Sequence, residues 1–183
     1  MSAHPSSSLP RYRSSRRVAA AALVNIRSMT PARLRALLTT WPDPRDAAAA
    51  VARRDPRVLE VLRELRVGGR TDVGGLVTHW SRNIDIDRVA ATLARRGTHV
   101  FLWSEPDYPI ADQLPNRPAV LLAEGQELEA LDAPRVAVVG TRAASPHGLH
   151  DAFELGAFLA RAGCTVVSGM AIGVDAAAHE GAL

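Results

Sequence analysis

Residues 135–183 read RVAVVGTRAASPHGLHDAFELGAFLARAGCTVVSGMAIGVDAAAHEGAL, and the order of elements in this stretch decides the fold. Arg135 to Val139 (RVAVV) has the length and the apolar continuity of a strand buried on both faces. A Gly-containing turn follows, then a helix expected over residues 148–162, a second buried strand over 165–168, and a last helix beginning near Val174. Strand, helix, strand, helix is the opening of a parallel, doubly wound sheet.

The alternation of helix and strand begins further upstream. Asp85 stands before Ile86, Val89, Ala90 and Leu93, which share one helical face, and Gly97 sits where a left-handed C-cap belongs. Residues 98–103 then read as a strand. A Pro-punctuated linker spans 105–118, and residues 119–123 form a second short apolar run ended by Gly125. Residues 85–183 are therefore expected to form an α/β domain with a Rossmann-like parallel sheet, incomplete at the end of the chain.

Before residue 85 the period changes to that of helices, and residues 16–81 read as a small all-helical module. Thr30 is a cap and Pro31 a first helical residue, and Leu34, Leu37, Leu38 and Trp41 follow the i, i+3, i+4, i+7 spacing of one buried face. Asp46 is expected to cap a helix over 47–53. Asp55 with Pro56 starts another that buries Val58, Leu62 and Leu65 and stops at Gly68 and Gly69. Residues 71–81 show no clear period. Residues 1–15, rich in Ser and Pro, have nothing to bury and read as a disordered tail.

Composition limits the function classes. With 183 residues and 47% hydrophobic side chains the chain can bury a core. The Ala-rich run at 18–26 is far short of the roughly 20 apolar residues of a membrane span, so no membrane association is expected. A single cysteine, Cys164, cannot close an internal disulfide, which suits a reducing cytoplasm; its place at the start of a buried strand makes it a small core residue. Residues 1–70 carry 14 Arg against 5 acidic residues, a balance of +9, whereas residues 71–183 carry 8 against 14, a balance of −6. There is no Lys, so every cation is a planar guanidinium able to hold phosphate through two parallel hydrogen bonds. Two readings of the basic half stand: a polyanionic partner, or codon bias with Arg solvating helix faces.

In such a sheet the chemistry collects where strands end and helices begin, because helix N-termini offer unpaired N–H groups to anions. In the first turn, Gly140 lets a phosphate approach the backbone, Thr141 and Ser145 supply hydroxyls, and Arg142 a bidentate cation, with Gly148 closing the segment. The alternative is a plain strand-to-helix turn with Ser145 as N-cap. The turn is neither the G-x-G-x-x-G dinucleotide fingerprint nor a Walker loop, so no cofactor is expected. The second turn lies on the same rim, where Ser168, Gly169 and Gly173 allow close backbone approach. Asp175 and His179, four residues apart, share a helical face. A metal or a hydrolytic centre would need further ligands or a nucleophile that the sequence does not place nearby. The structural reading has Asp175 capping the helix and orienting His179 through an i, i+4 hydrogen bond, with no catalytic residue and no metal. His4, His79, His99 and His150 form no cluster.

The paired stretches VAVVGTRAASPHG and VVSGMAIGVDAAAHEGAL closely resemble the DprA/Smf family, whose pattern is an apolar strand, G-[ST]-R-x-x-S-x-x-G, then S-G-x-A-x-G-x-D-x-x-A-H and a closing A-L. The preceding DYPIADQLPNRPAVLLAEG resembles the segment leading into that domain, so the likeness covers roughly residues 98–183. The N-terminal helices are similar in placement to the SAM-like or helix-hairpin-helix-like module of many members, without the hydrophobic-Gly-hydrophobic hairpin near Ser28 and Met29.

The resemblance implies a non-enzymatic protein that holds single-stranded DNA during natural transformation and recombination, protects it and helps load the RecA recombinase. By matched position it makes Arg142 the prime phosphate contact, with Gly140, Thr141 and Ser145 shaping the site and Ser168, Gly169 and Gly173 forming the adjoining loop. His147 departs from the family's usual Tyr. The family pattern continues beyond Leu183 into strands that carry the rest of the DNA groove, the homodimer interface and the RecA-facing surface, so a truncated reading frame is expected. A relative of the LOG-type nucleotide phosphoribohydrolases is the alternative from another class. Its P-G-G-x-G-T-x-x-E motif is absent here, and the S-G-x-A-x-G-x-D-x-x-A-H turn favours DprA. A third reading makes the basic helices a protein-interaction module.

Overall fold

Among the described residues, capping residues set off six helices before residue 97, α1 Arg16–Val24, α2 Pro31–Thr40, α3 Pro44–Arg53, α4 Pro56–Glu64, α5 Val73–Asn83 and α6 Ile86–Arg96, capped by Ser15, Thr30, Asp43, Asp55, Asp72 and Asp85. Each cap accepts a backbone N–H of the first turn, replacing a partner that the helix itself cannot supply. Strands β1 His99–Leu102, β2 Val120–Ala123, β3 Arg135–Ala137 and β4 Thr165–Val167 follow, with α7 Pro146–Arg161 between β3 and β4 and α8 Val174–Ala182 after β4. The structure is a computed structural model that describes residues 15–65, 72–110, 116–125 and 132–183. Residues 1–14 of the expected tail, Gly68 and Gly69, and part of the 105–118 linker lie outside the described residues.

The contacts divide the chain into two compact units, Met1–Gly125 and Gln126–Leu183. The first has an apolar core drawn from every helix, including Val18, Leu23, Leu37, Val51, Val58, Trp80 and Leu93. Trp80 is completely buried, and its indole N–H donates to the Arg27 carbonyl at 3.2 Å, so the ring's polar edge is not left unpaired. Strands β1 and β2 pair antiparallel, with Val100 opposite Leu122 and Leu102 opposite Val120, and Leu102 and Val120 join the same core. Helix α6 and these strands therefore belong with the helices, and the units divide later in the chain than the reading of 85–183 as one domain. Gly97 ends α6 with φ 64°, as its place in the pattern predicts.

One local expectation is corrected, and two open points are filled in. The cap of α3 is Asp43 rather than Asp46, because Pro44 at the first helical position starts the helix earlier; Asp46 lies in its first turn. Residues 71–81, without a period of their own, contribute most of α5, where the Asp72 cap and burial of Val77 and Trp80 outweigh the poor propensity of Gly74 and Gly75. Leu65 is the half-buried C-cap of α4 and packs against the core that holds Val58 and Leu62.

In the second unit β3 and β4 are parallel, with Val136 opposite Val166, and α7 crosses between them. This βαβα unit is of Rossmann-like type. Val138, Val166, Leu159 of α7 and Ala178 of α8 form its core, with Val136, Cys164 and Val174 packed against it. The expectation of fully buried strands at 135–139 and 165–168 is corrected: both helices cover one face, while Val139 is 72% exposed and Val167 is exposed with it on the other. Among the described residues β3 pairs only with β4.

The two helices meet through glycine. A Cβ on Gly156 would lie 2.0 Å from the Ala178 carbonyl oxygen, and one on Gly181 2.0 Å from that of Phe153, so backbone rests on backbone at both ends of the crossing.

Candidate functional site

Both Gly-containing turns leave the C-terminal ends of the parallel strands, and they interlock. The Val174 amide donates to the Thr141 carbonyl at 3.2 Å, which joins the start of α8 to the first turn. Gly140 faces the Val174 side chain, and a Cβ there would come within 2.7 Å of it. Gly173 is required twice over, since its φ of 92° disfavours any L side chain and a Cβ would meet the Thr141 carbonyl oxygen at 2.3 Å. The sequence reading placed these glycines for the approach of a ligand; in the structure their absent side chains make room for the opposite turn.

Asp175 ties the turns together from beneath. It is only 4% exposed, and its carboxylate accepts from Gly140 N at 3.3 Å through one oxygen and from Gly169 N at 3.0 Å and Ala171 N at 3.4 Å through the other. Three N–H donors and a place in the first turn of α8 let a carboxylate stay buried there. Asp175 is thus neither the N-cap of α8, which is Gly173, nor the hydrogen-bond partner of His179. The imidazole Nε2 of His179 lies 2.9 Å from Ser168 Oγ, and Ser168 Oγ in turn accepts from Met170 N at 3.0 Å. The expected i, i+4 bond gives way because loop amides in need of an acceptor surround the carboxylate, while the imidazole reaches the strand end. A signal for this was legible in outline: an acidic residue two places after Gly173, beside two turns whose N–H groups have no ladder to join.

These bonds also decide which groups face outward. The amides of Gly140 and Gly169 are taken by Asp175, that of Ala143 by Thr141 Oγ1 at 3.1 Å, and that of Gly148 by Ser145 Oγ at 3.2 Å, so Ser145 caps α7. Arg142 remains. It is exposed, and among the described residues its guanidinium makes no hydrogen bond or ion pair. It borders a hollow of about 290 Å³ lined also by Ala144, Leu149, Gly173, Ala176 and Glu180. Thr141 and Arg142 are thereby brought against Gly173, Gly140 against Val174 and Asp175, Gly169 against Asp175 and Ser168 against His179. His147 stands on the exposed first turn of α7, 3.6 Å from Asp151. Among the described residues no three His, Cys, Asp or Glu side chains cluster as a metal site, and no helix is long and apolar enough to cross a membrane.

A parallel βαβα unit with two interlocked turns at the C-terminal ends of its strands defines a Rossmann-like α/β protein. The chain belongs to the DprA/Smf family: residues 99–183 match the family model described as DNA recombination-mediator protein A. It is 36% identical over 169 residues to a DNA processing protein DprA of Mycobacterium tuberculosis, an alignment covering 83% of this chain and 43% of the relative. Over 84 residues it is 37% identical to a protein Smf of Synechocystis, covering 43% of this chain and 21% of that protein. The chain thus spans less than half the length of the relatives it matches.

Proposed function

We propose that this chain supplies a phosphate-contacting rim of a DNA-processing protein that binds single-stranded DNA in recombination and natural transformation, without itself carrying out chemistry on the strand. The observation that carries this reading is Arg142, exposed and unengaged among the described residues at the junction of the two interlocked turns. A guanidinium held on a rigid turn grips a phosphodiester with two hydrogen bonds, and such contacts bind any base sequence alike. Ser168, Gly169, Gly173 and Asp175 act by shaping the turn that supports it, with Gly140, Thr141, Ser145 and Gly148 forming the turn itself. In keeping with the family resemblance, the reading places the protein in the cytoplasm, handing its strand to RecA and acting as a homodimer in the full-length family.

The test is the salt dependence of oligonucleotide binding. Each phosphate contact on a single strand contributes about 0.7 to the slope of log affinity against log salt. Arg142→Ala should make the slope shallower by about that amount on every base sequence, and Arg142→Lys should restore the slope but only part of the affinity, since a lysine lacks the planar fork. Equal binding by Arg142→Ala and the parent at all salt concentrations would refute the reading.

A further inference from the structure

A cavity of about 550 Å³ opens in the first unit between α1, α5 and α6, within the usual range of ligand pockets. Its floor is apolar: Ala22, Ile26 and Leu93 are buried core side chains, with Val89 beside them. Its rim is polar, and the charge there is lopsided. Arg27 and Arg88 both line the cavity, and among the described residues neither guanidinium makes a hydrogen bond or an ion pair. One carboxylate, Asp85, lines it too, and an oxygen of that group is occupied at 2.9 Å by the backbone N–H of Arg88, as the cap of α6.

The neutral groups on the rim have defined roles. Asn83 Nδ2 donates to the His79 carbonyl oxygen at 2.7 Å, which identifies that atom as the amide nitrogen, and it lies 3.3 Å from His79 Nδ1. The Asn83 amide and the His79 ring are thus held together at the rim. Asn25 Nδ2 donates to the Ala21 carbonyl at 2.9 Å, so backbone carbonyls hold the side-chain amides of both Asn25 and Asn83 at the rim. Two cations, an imidazole and two side-chain amides around buried apolar residues match a ligand with an anionic end, a flat apolar body and polar edges.

We propose that this cavity binds a nucleoside phosphate, with the phosphate on Arg27 and Arg88 and the base against Val89 and the exposed edges of Ile26 and Leu93. A free mononucleotide and the terminal nucleotide of a DNA strand share this chemistry. The site lies on different elements from Arg142, so it stands whether or not the turn binds DNA.

The experiment titrates deoxyadenosine monophosphate into the whole chain by calorimetry, with deoxyadenosine and inorganic phosphate as partial ligands. Binding of the nucleotide should be tighter than that of either part, and Arg27→Gln and Arg88→Gln should each weaken it about tenfold, the loss of one hydrogen bond to a charged group. Both side chains are exposed, so the variants should unfold at the parent's temperature. Arg161→Gln, at an exposed position in the second unit outside both sites, should bind the nucleotide like the parent. A short oligonucleotide bearing a 5′-phosphate competes if a strand end is the ligand, and only free nucleotides compete if it is not; either result fits the site. No detectable binding of the nucleotide, equal binding of deoxyadenosine, or affinity untouched by both arginine changes overturns the proposal.

Discussion

Replacing Asp175 by Asn exchanges one acceptor oxygen for an NH2 group in a place where three backbone donors converge. The best orientation keeps the carbonyl oxygen against Gly169 N and Ala171 N, at 3.0 and 3.4 Å, and turns the NH2 toward Gly140 N, now a donor facing a donor. A hydrogen bond to a charged group contributes about 1.5–3 kcal/mol, and the 3.3 Å length of the Gly140 bond puts it at the lower end. The two surviving bonds lose their charge, and the first turn of α8 loses an anion worth about 0.3–1 kcal/mol. The expected destabilisation is about 2–4 kcal/mol. Tryptophan fluorescence is blind to it, because Trp41, Trp80 and Trp103 all lie in the first unit. Amide hydrogen exchange by NMR reads it directly: at a factor of ten per 1.4 kcal/mol, exchange at Gly140 and Gly169 should accelerate from about 30-fold to several hundredfold. Unchanged exchange at both glycines would show that the carboxylate does not hold the turns together.

Gly156→Ala should destabilise the second unit by up to about 2 kcal/mol, since a Cβ 2.0 Å from the Ala178 oxygen forces α7 and α8 apart at an overpacking cost of about 1–3 kcal/mol, offset by about 1 kcal/mol of helix propensity. Gly148→Ala, whose Cβ finds its nearest neighbour at 3.5 Å, should stay within about 1 kcal/mol of the parent, and urea unfolding followed by circular dichroism compares the two. The Arg45 guanidinium, hydrogen-bonded to Asp43, holds that carboxyl down at about 2, so its contribution is present above the unfolded value near 3.9 and is lost as the pH falls toward 2. Asp43 is half-buried but its partner Arg45 is exposed, which limits the effect to less than about 1 kcal/mol. The stability advantage of the parent over Asp43→Asn should therefore shrink between pH 4 and pH 2; an advantage that is constant with pH contradicts the assignment.

Much of this chain was legible from local chemistry. Thr30 before Pro31, Asp55 before Pro56, and Asp85 with Gly97 mark helix ends because caps satisfy backbone groups a few residues away, and the βαβα order after Arg135 follows from the alternation of apolar runs and turns. The same locality misled at Asp46, where two acidic residues three apart compete for one helix start. What the tertiary structure alone decided lies at longer range. Asp175 chose the amide of Gly140, 35 residues away, over the imidazole four residues away, because a buried carboxylate takes whichever donors the fold brings within reach. The apolar strand at 135 proved covered on one face, since α7 and α8 pack on the same side. Arg27 and Arg88 come to one cavity only through the packing of α1 against α6. Periodicity shows which face of an element is buried, but which elements meet there depends on shape complementarity among faces that are all apolar, and that is settled only when the chain packs.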